Sequence, residues 1–306
     1  MIQSYIAILL ALAVTIVPYA TASLDEIFGV FETSQGSVVK RTRPEVDRVV
    51  GFESKGATIK TIKPKVDMSD LGRVVGGTDA DPTRYPFFTD VEFDKTYSDG
   101  EVGSEFCAGS LIAPDVVITA AQCFMEGEIN FITVRVNSTS VNATGYDYVR
   151  DVSSWEVHPQ FDEVSFDNDV AVLFLSTAVT EVTPLVLNAD AGVPADGADL
   201  ELIGLGTLSE EGDLPEFLQV VTLQSIPALT CAELYSTTTE TIDALLQLCA
   251  AADGKDACAG DSGAPLLLNT ESGFLLVGLS SFGISCADPV SVFSFECLVE
   301  SNFGTL

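Results

Sequence analysis

Gly260-Asp261-Ser262-Gly263-Ala264-Pro265 is the stretch of this chain best suited to chemistry. A serine between glycines on a tight turn is exposed, and adjacent backbone N–H groups can point at one spot beside it. An acyl-transfer nucleophile with an oxyanion hole has that requirement, and it also needs a base to accept its proton. Imidazole bases are scarce here. The one histidine is His158, in Val157-His158-Pro159-Gln160-Phe161. Seven cysteines stand at Cys107, Cys123, Cys231, Cys249, Cys258, Cys286 and Cys297, and none falls in a CxxC pair. Neither a histidine-rich nor a cysteine-caged zinc site is expected, and no metal or cofactor is implied.

The elements that must position Ser262 are β in texture. Short β-branched runs recur at residues 116–119, 132–136, 170–175, 182–187, 200–205, 217–223, 266–268 and 274–280, punctuated by Gly, Pro, Asn and Asp. Many short strands without long helical patterns between them predict a sandwich or barrel. Residues 229–234 and 242–248 are the two segments that suit helical turns.

Ahead of this region lie two blocks of different character. Residues 5–17 form a nearly unbroken apolar run, too short for a comfortable membrane span, and Ala20-Thr21-Ala22 follows it as a small-x-small cleavage pattern. Residues 1–22 therefore read as a secretory signal peptide, and no later stretch reads as membrane-spanning. Residues 23–73 are polar, lack cysteine and contain Lys40-Arg41-Thr42-Arg43, so they read as a propeptide or linker. Residues 74–306 form the folded domain. The charge divides at the same place. Residues 23–73 carry nine bases and eight acids (+1), whereas residues 74–306 carry five bases and 37 acids (−32), which together give the chain's −31. So few bases cannot build the basic face of a nucleic-acid binder. Export fits the cysteines, which favour disulfides in an oxidising compartment. It also makes the sequons at Asn137 and Asn142 available for glycosylation.

From about Arg73 onward the chain resembles a trypsin-type member of the chymotrypsin family of serine proteases. Arg73-Val74-Val75-Gly76-Gly77 resembles the activation site. Cys107-Ala108-Gly109-Ser110-Leu111-Ile112 and Thr119-Ala120-Ala121-Gln122-Cys123 resemble the surroundings of the catalytic histidine. Asp167-Asn168-Asp169-Val170-Ala171-Val172-Leu173 resembles those of the catalytic aspartate. Lys255 to Gly263 resembles the nucleophile loop, and Ser281-Phe282-Gly283 the strand that binds substrate backbone. The fold implied is all-β: two antiparallel six-stranded β-barrels with little helix and the active site between them.

The resemblance also implies roles. Ser262 is the nucleophile, Asp169 the orienting carboxylate, and Gly260 and Ser262 the oxyanion-hole donors. Ser281 and Gly283 hold substrate backbone. Asp256 forms the floor of a pocket that selects Lys or Arg by charge-assisted hydrogen bonds, and Ser291 stands at its wall. Asp261 would pair with the new amine of Val74 after cleavage at Arg73. Family spacing pairs Cys107 with Cys123, Cys231 with Cys249, and Cys258 with Cys286. It leaves Cys297 either free or available for an intermolecular disulfide.

One motif is broken. The family's histidine position holds Gln122. An imidazole near neutrality can take the proton of Ser262 and return it to a leaving amine, whereas a carboxamide only hydrogen-bonds. His158 falls outside the catalytic trio in the family pattern and reads as a surface or packing residue. Two functions follow. One is a secreted, catalytically impaired protease homologue that binds a protein or basic peptide. The alternative is an active serine endopeptidase that cleaves after Lys or Arg with a non-standard base.

Overall fold

The computed structural model describes residues 77–141, 148–207, 213–236, 242–243, 245–252, 260–283 and 293–297. Arg73, Val74, Asn142, Asp256, Cys258, Cys286 and Ser291 lie outside these residues, as do the expected signal peptide and pro-segment.

After the short strand β1 (Thr78–Asp79), six strands make the first barrel. They are β2 (Phe88–Thr96), β3 (Val102–Ala113), β4 (Val116–Thr119), β5 (Glu128–Val136), β6 (Tyr148–Val157) and β7 (Ala171–Leu175). Their order around the closed ring is β2-β3-β4-β7-β6-β5, antiparallel throughout. Strand β2 shows why this sequence curls. Val91 and Phe93 point inward while Asp90, Glu92 and Asp94 point outward, the period of two that gives a sheet one dry face.

The second half contains β8 (Val186–Leu187), β9 (Asp199–Gly204), β10 (Gln219–Ile226), a helix α1 (Ala228–Tyr235), β11 (Gln247–Ala251), β12 (Pro265–Thr270), β13 (Gly273–Gly283) and β14 (Phe293–Cys297). Six of these strands close a second antiparallel ring, β9-β10-β11-β14-β13-β12, because β12 returns to β9. β1 adds to β10, and β8 runs parallel beside β13. Closure leaves neither ring an unpaired edge. One continuous apolar core joins both barrels, from Val91, Ile118 and Leu173 to Leu202, Val277 and Phe295. The two-barrel, helix-poor architecture expected from the family resemblance is the one observed.

Two local expectations are met only in part. Of residues 182–187, only Val186–Leu187 is strand. Within 242–248 the described residues make a single turn, with the Gln247 N–H donating to the Asp243 carbonyl at 2.8 Å, before the chain enters β11. The other helical expectation is met by α1, which the Cys231–Cys249 disulfide ties to β11. A second disulfide, Cys107–Cys123, ties β3 to the turn after β4.

Candidate active site

Gln122 sits on a single 3-10 turn, Ala121–Phe124, that leaves β4 at the mouth of the first barrel. Asp169 lies just before β7, at the end of a loop in which Phe166 and Asn168 adopt positive φ. The Val170 N–H closes that loop onto the Asn168 carbonyl at 2.8 Å. Ser262 stands on the turn before β12, in the second barrel, between Gly260 (φ 94°) and Gly263 (φ 79°).

Gly263 holds this turn against the first barrel. A Cβ there would lie 2.4 Å from the Ala108 carbonyl oxygen and 2.5 Å from Thr119 Oγ1. With nothing in the way, the Ala108 N–H donates to the Ser262 carbonyl at 2.8 Å, and the Gly263 N–H donates to the Ser280 carbonyl at 2.8 Å. The Ser262 turn is thus bonded to both barrels.

Four side chains and backbone groups meet across the barrel junction. The Gln122 backbone N–H donates to Asp169 Oδ1 at 2.8 Å. The Gln122 side-chain amide donates one N–H to Asp169 Oδ2 at 2.7 Å and the other to the Ser281 carbonyl at 2.7 Å. Ser281 Oγ also donates to Asp169 Oδ2, at 2.5 Å. Both amide protons therefore face acceptors, which fixes the orientation of the carboxamide. Its oxygen Oε1 is left facing Ser262, whose Oγ donates to it across a long 3.4 Å. Asp169 is fully buried. Burial raises its carboxyl above the ordinary range, opposed by the hydrogen bonds donated by Ser281, Gln122 and Ala121.

A carboxamide oxygen accepts a hydrogen bond but has no useful basicity near neutral pH. As placed, the trio orients Ser262 without offering it a proton acceptor. His158 stands elsewhere. It is buried, its backbone N–H donates to the Val170 carbonyl at 2.9 Å, and its Nδ1 accepts the Gln160 N–H at 3.3 Å. An accepting Nδ1 belongs to the neutral ring, and burial lowers its pKa further.

The other expected residues are placed as follows. Ser281 and Gly283 lie on β13, with Gly283 opposite Phe293 of β14. Asp261 is buried under the turn, and its Oδ1 accepts the Gly206 N–H at 2.8 Å. A Cβ on Gly206 would overlap that carboxylate at 2.5 Å. Asn137 follows β5 with φ 64° and is half-buried, its N–H on the Phe88 carbonyl. Cys297 forms no disulfide among the described residues, and its thiol pKa is pushed up to about 12 by burial and by the neighbouring Glu296.

One residue beside the site was not anticipated. Glu296, on β14, is buried, and its carboxyl accepts the N–H groups of Asn168 and Asp169. Burial, then the nearby Asp169 and Asp167, push its pKa well up. Its only sequence signal is a lone acid in the apolar run Phe293-Ser294-Phe295-Glu296-Cys297.

A family model described as Trypsin matches residues 74–295, a span that holds Gln122, Asp169, Ser262 and both barrels. The chain belongs to the trypsin family. It is 34% identical over 230 residues to a vitellin-degrading protease of Bombyx mori, covering 74% of this chain and 81% of that protein. It is 31% identical to a trypsin of Phaedon cochleariae, covering 76% and 87%, and 31% identical to trypsin delta of Drosophila melanogaster, covering 76% and 85%. The fold of this trypsin-like serine protease is accordingly chymotrypsin-like.

Proposed function

We propose that this trypsin-family protein is exported, is catalytically impaired, and acts by binding a protein or a basic peptide. The observation that carries the reading is the engagement of the Gln122 carboxamide. Both of its protons are given to Asp169 and Ser281, and only a non-basic oxygen faces Ser262. Loss of the base of such a triad lowers turnover by roughly 10⁶ and leaves only the contribution of binding and the oxyanion hole. Two disulfides among the described residues support an oxidising compartment. The −32 of residues 74–306 supports a cationic ligand. Asp256 would be the carboxylate that receives its Lys or Arg side chain. Cleavage after Arg73 would deliver the Val74 amine to Asp261, which is already buried beside Gly206.

The experiment is Gln122→His in the protein cleaved after Arg73, assayed on Lys and Arg esters beside the unaltered protein. The unaltered protein is expected at background and the variant above it. Robust turnover by the unaltered protein, abolished by Ser262→Ala, would establish an endopeptidase with a non-standard base and sink the binding role. If the variant gains nothing, Gln122 is not what limits the site.

A further inference from the structure

The outer face of the first barrel pairs acids with exposed apolar side chains. Along β2, Asp90, Glu92 and Asp94 point outward. Glu92 lies opposite Phe106 on β3 and Thr133 on β5, and Asp94 lies opposite Ser104 and Phe131. Thr96 lies opposite Val102 and Glu128. Val102 is 72% exposed, Phe106 48%, Phe131 37%, and Val149 of the adjoining β6 53%. On β2, β3 and β5 the outward base is Arg135, and it is already held by Asp90 at 2.7 Å and Glu92 at 2.8 Å. The face therefore asks for a partner that is basic and apolar at once. A second copy of the domain would bring the same negative field.

We propose that this face is the docking surface for the chain's own residues 40–65. That segment holds eight bases and three acids, for +5, and spaces them with Val46, Val49, Val50, Phe52, Ile59 and Ile62. Its cations match the carboxylates of β2, and its aliphatic and aromatic side chains match Val102, Phe106, Phe131 and Val149. The connection is long enough. The 12 residues from Lys65 to Gly77 span up to about 40 Å when extended, against a radius of gyration of about 17 Å for a domain of some 230 residues. Docking there relieves part of the domain's self-repulsion and keeps the segment attached after cleavage at Arg73.

Hydroxyl-radical footprinting of Phe106 and Phe131 in the full chain tests this against a Lys60→Glu, Lys63→Glu, Lys65→Glu variant, which leaves the barrel sequence untouched. Both phenylalanines are expected to label several-fold faster in the variant. The unaltered chain should behave likewise at about 1 M salt, where the screening length falls to roughly 3 Å. Equal labelling of the two chains at low salt would overturn the proposal. So would protection that survives both charge reversal and salt. Protection that grows with protein concentration would assign the face to a second copy instead.

Discussion

Replacing Glu296 by Gln should stabilise the protein at neutral pH, by an amount that grows with pH. The Glu296 side chain lies behind Asp169, with its strand paired to β11 at Gln247 and to β13 at Leu279. Its carboxyl accepts the Asn168 and Asp169 N–H groups. Its Oε2 is buried without a hydrogen-bond partner, as is Asp167 Oδ1. Burial disfavours the charged form first, and the charges of Asp169 and Asp167 disfavour it further. The folded protein thus keeps a proton on Glu296 at pH values where an unfolded glutamate, with a pKa of about 4.3, has lost it. Between those two pKa values the native state binds one more proton than the unfolded state. Stability then falls with rising pH by roughly 1.4 kcal/mol per unit, tenfold in the folding equilibrium. A glutamine keeps an oxygen for the two N–H groups and has no proton to lose. Every other group titrates in both proteins, including Asp169, whose raised pKa has the same sign. The difference between the two stability curves therefore reports Glu296 together with its coupling to Asp169 and Asp167. Urea unfolding from about pH 4 to about pH 8, with equal slopes in denaturant, measures it. The curves should meet near the acid end and diverge upward. Parallel curves, or a variant less stable than the parent at neutral pH, would refute a proton held on Glu296.

Gln122→Glu exchanges two donors for a second carboxylate against Asp169, and should cost about 3 kcal/mol near neutral pH. The loss should shrink on acidification, and a melting temperature equal to the parent's at neutral pH would count against the bonding described. Gly263→Ala puts a methyl 2.4 Å from the Ala108 carbonyl oxygen at a residue with φ 79°. It should lose at least about 2 kcal/mol; parental stability in thermal melts would show that the two barrels do not meet so closely. Among the described residues Arg84, Lys95 and Arg135 are already in ion pairs, so most of the 37 acids of residues 74–306 lack a basic partner by count. Melting temperature should rise from about 0.01 M to about 1 M salt as the Debye length contracts from roughly 30 Å to roughly 3 Å, and indifference to salt would contradict that.

Strands were legible where both faces are dry. Residues 116–119 and 170–175 are nearly continuous apolar runs because β4 and β7 are buried on both sides. Strand β6 was missed because half-buried and exposed residues alternate along most of it, with none fully buried. The inward Lys95 breaks the pattern of β2, since its ammonium is neutralised by Glu105 and bonded to the Met125 carbonyl at 2.9 Å. In the site, the Ser262 turn announces itself through its glycines. Gln122 and Asp169 do not, because 47 residues separate two groups that meet only through folding; a family pattern was needed to find them. Glu296 stayed hidden for a different reason. A polar residue next to Phe295 reads as the solvent side of a strand, yet here that side is covered by the Asp169 loop.

The residue type at position 122 carries information of its own. Asp169 is fully buried, and a buried carboxylate stripped of a donor costs more than an ordinary lost hydrogen bond. An aliphatic residue at 122 would have removed the 2.7 Å bond to Asp169 and left the Ser281 carbonyl without its amide partner. A neutral imidazole offers one N–H, whereas the carboxamide offers two and spends them on Asp169, beside the first barrel, and on Ser281, in the second. Gln122 therefore ties the junction with one more donor than a neutral histidine has, while giving up the proton-accepting nitrogen. Stability of the cleft and chemistry in the cleft are separable at this single position. That separation is what the proposed binding role requires: a trypsin-like groove held in shape without a base beside Ser262.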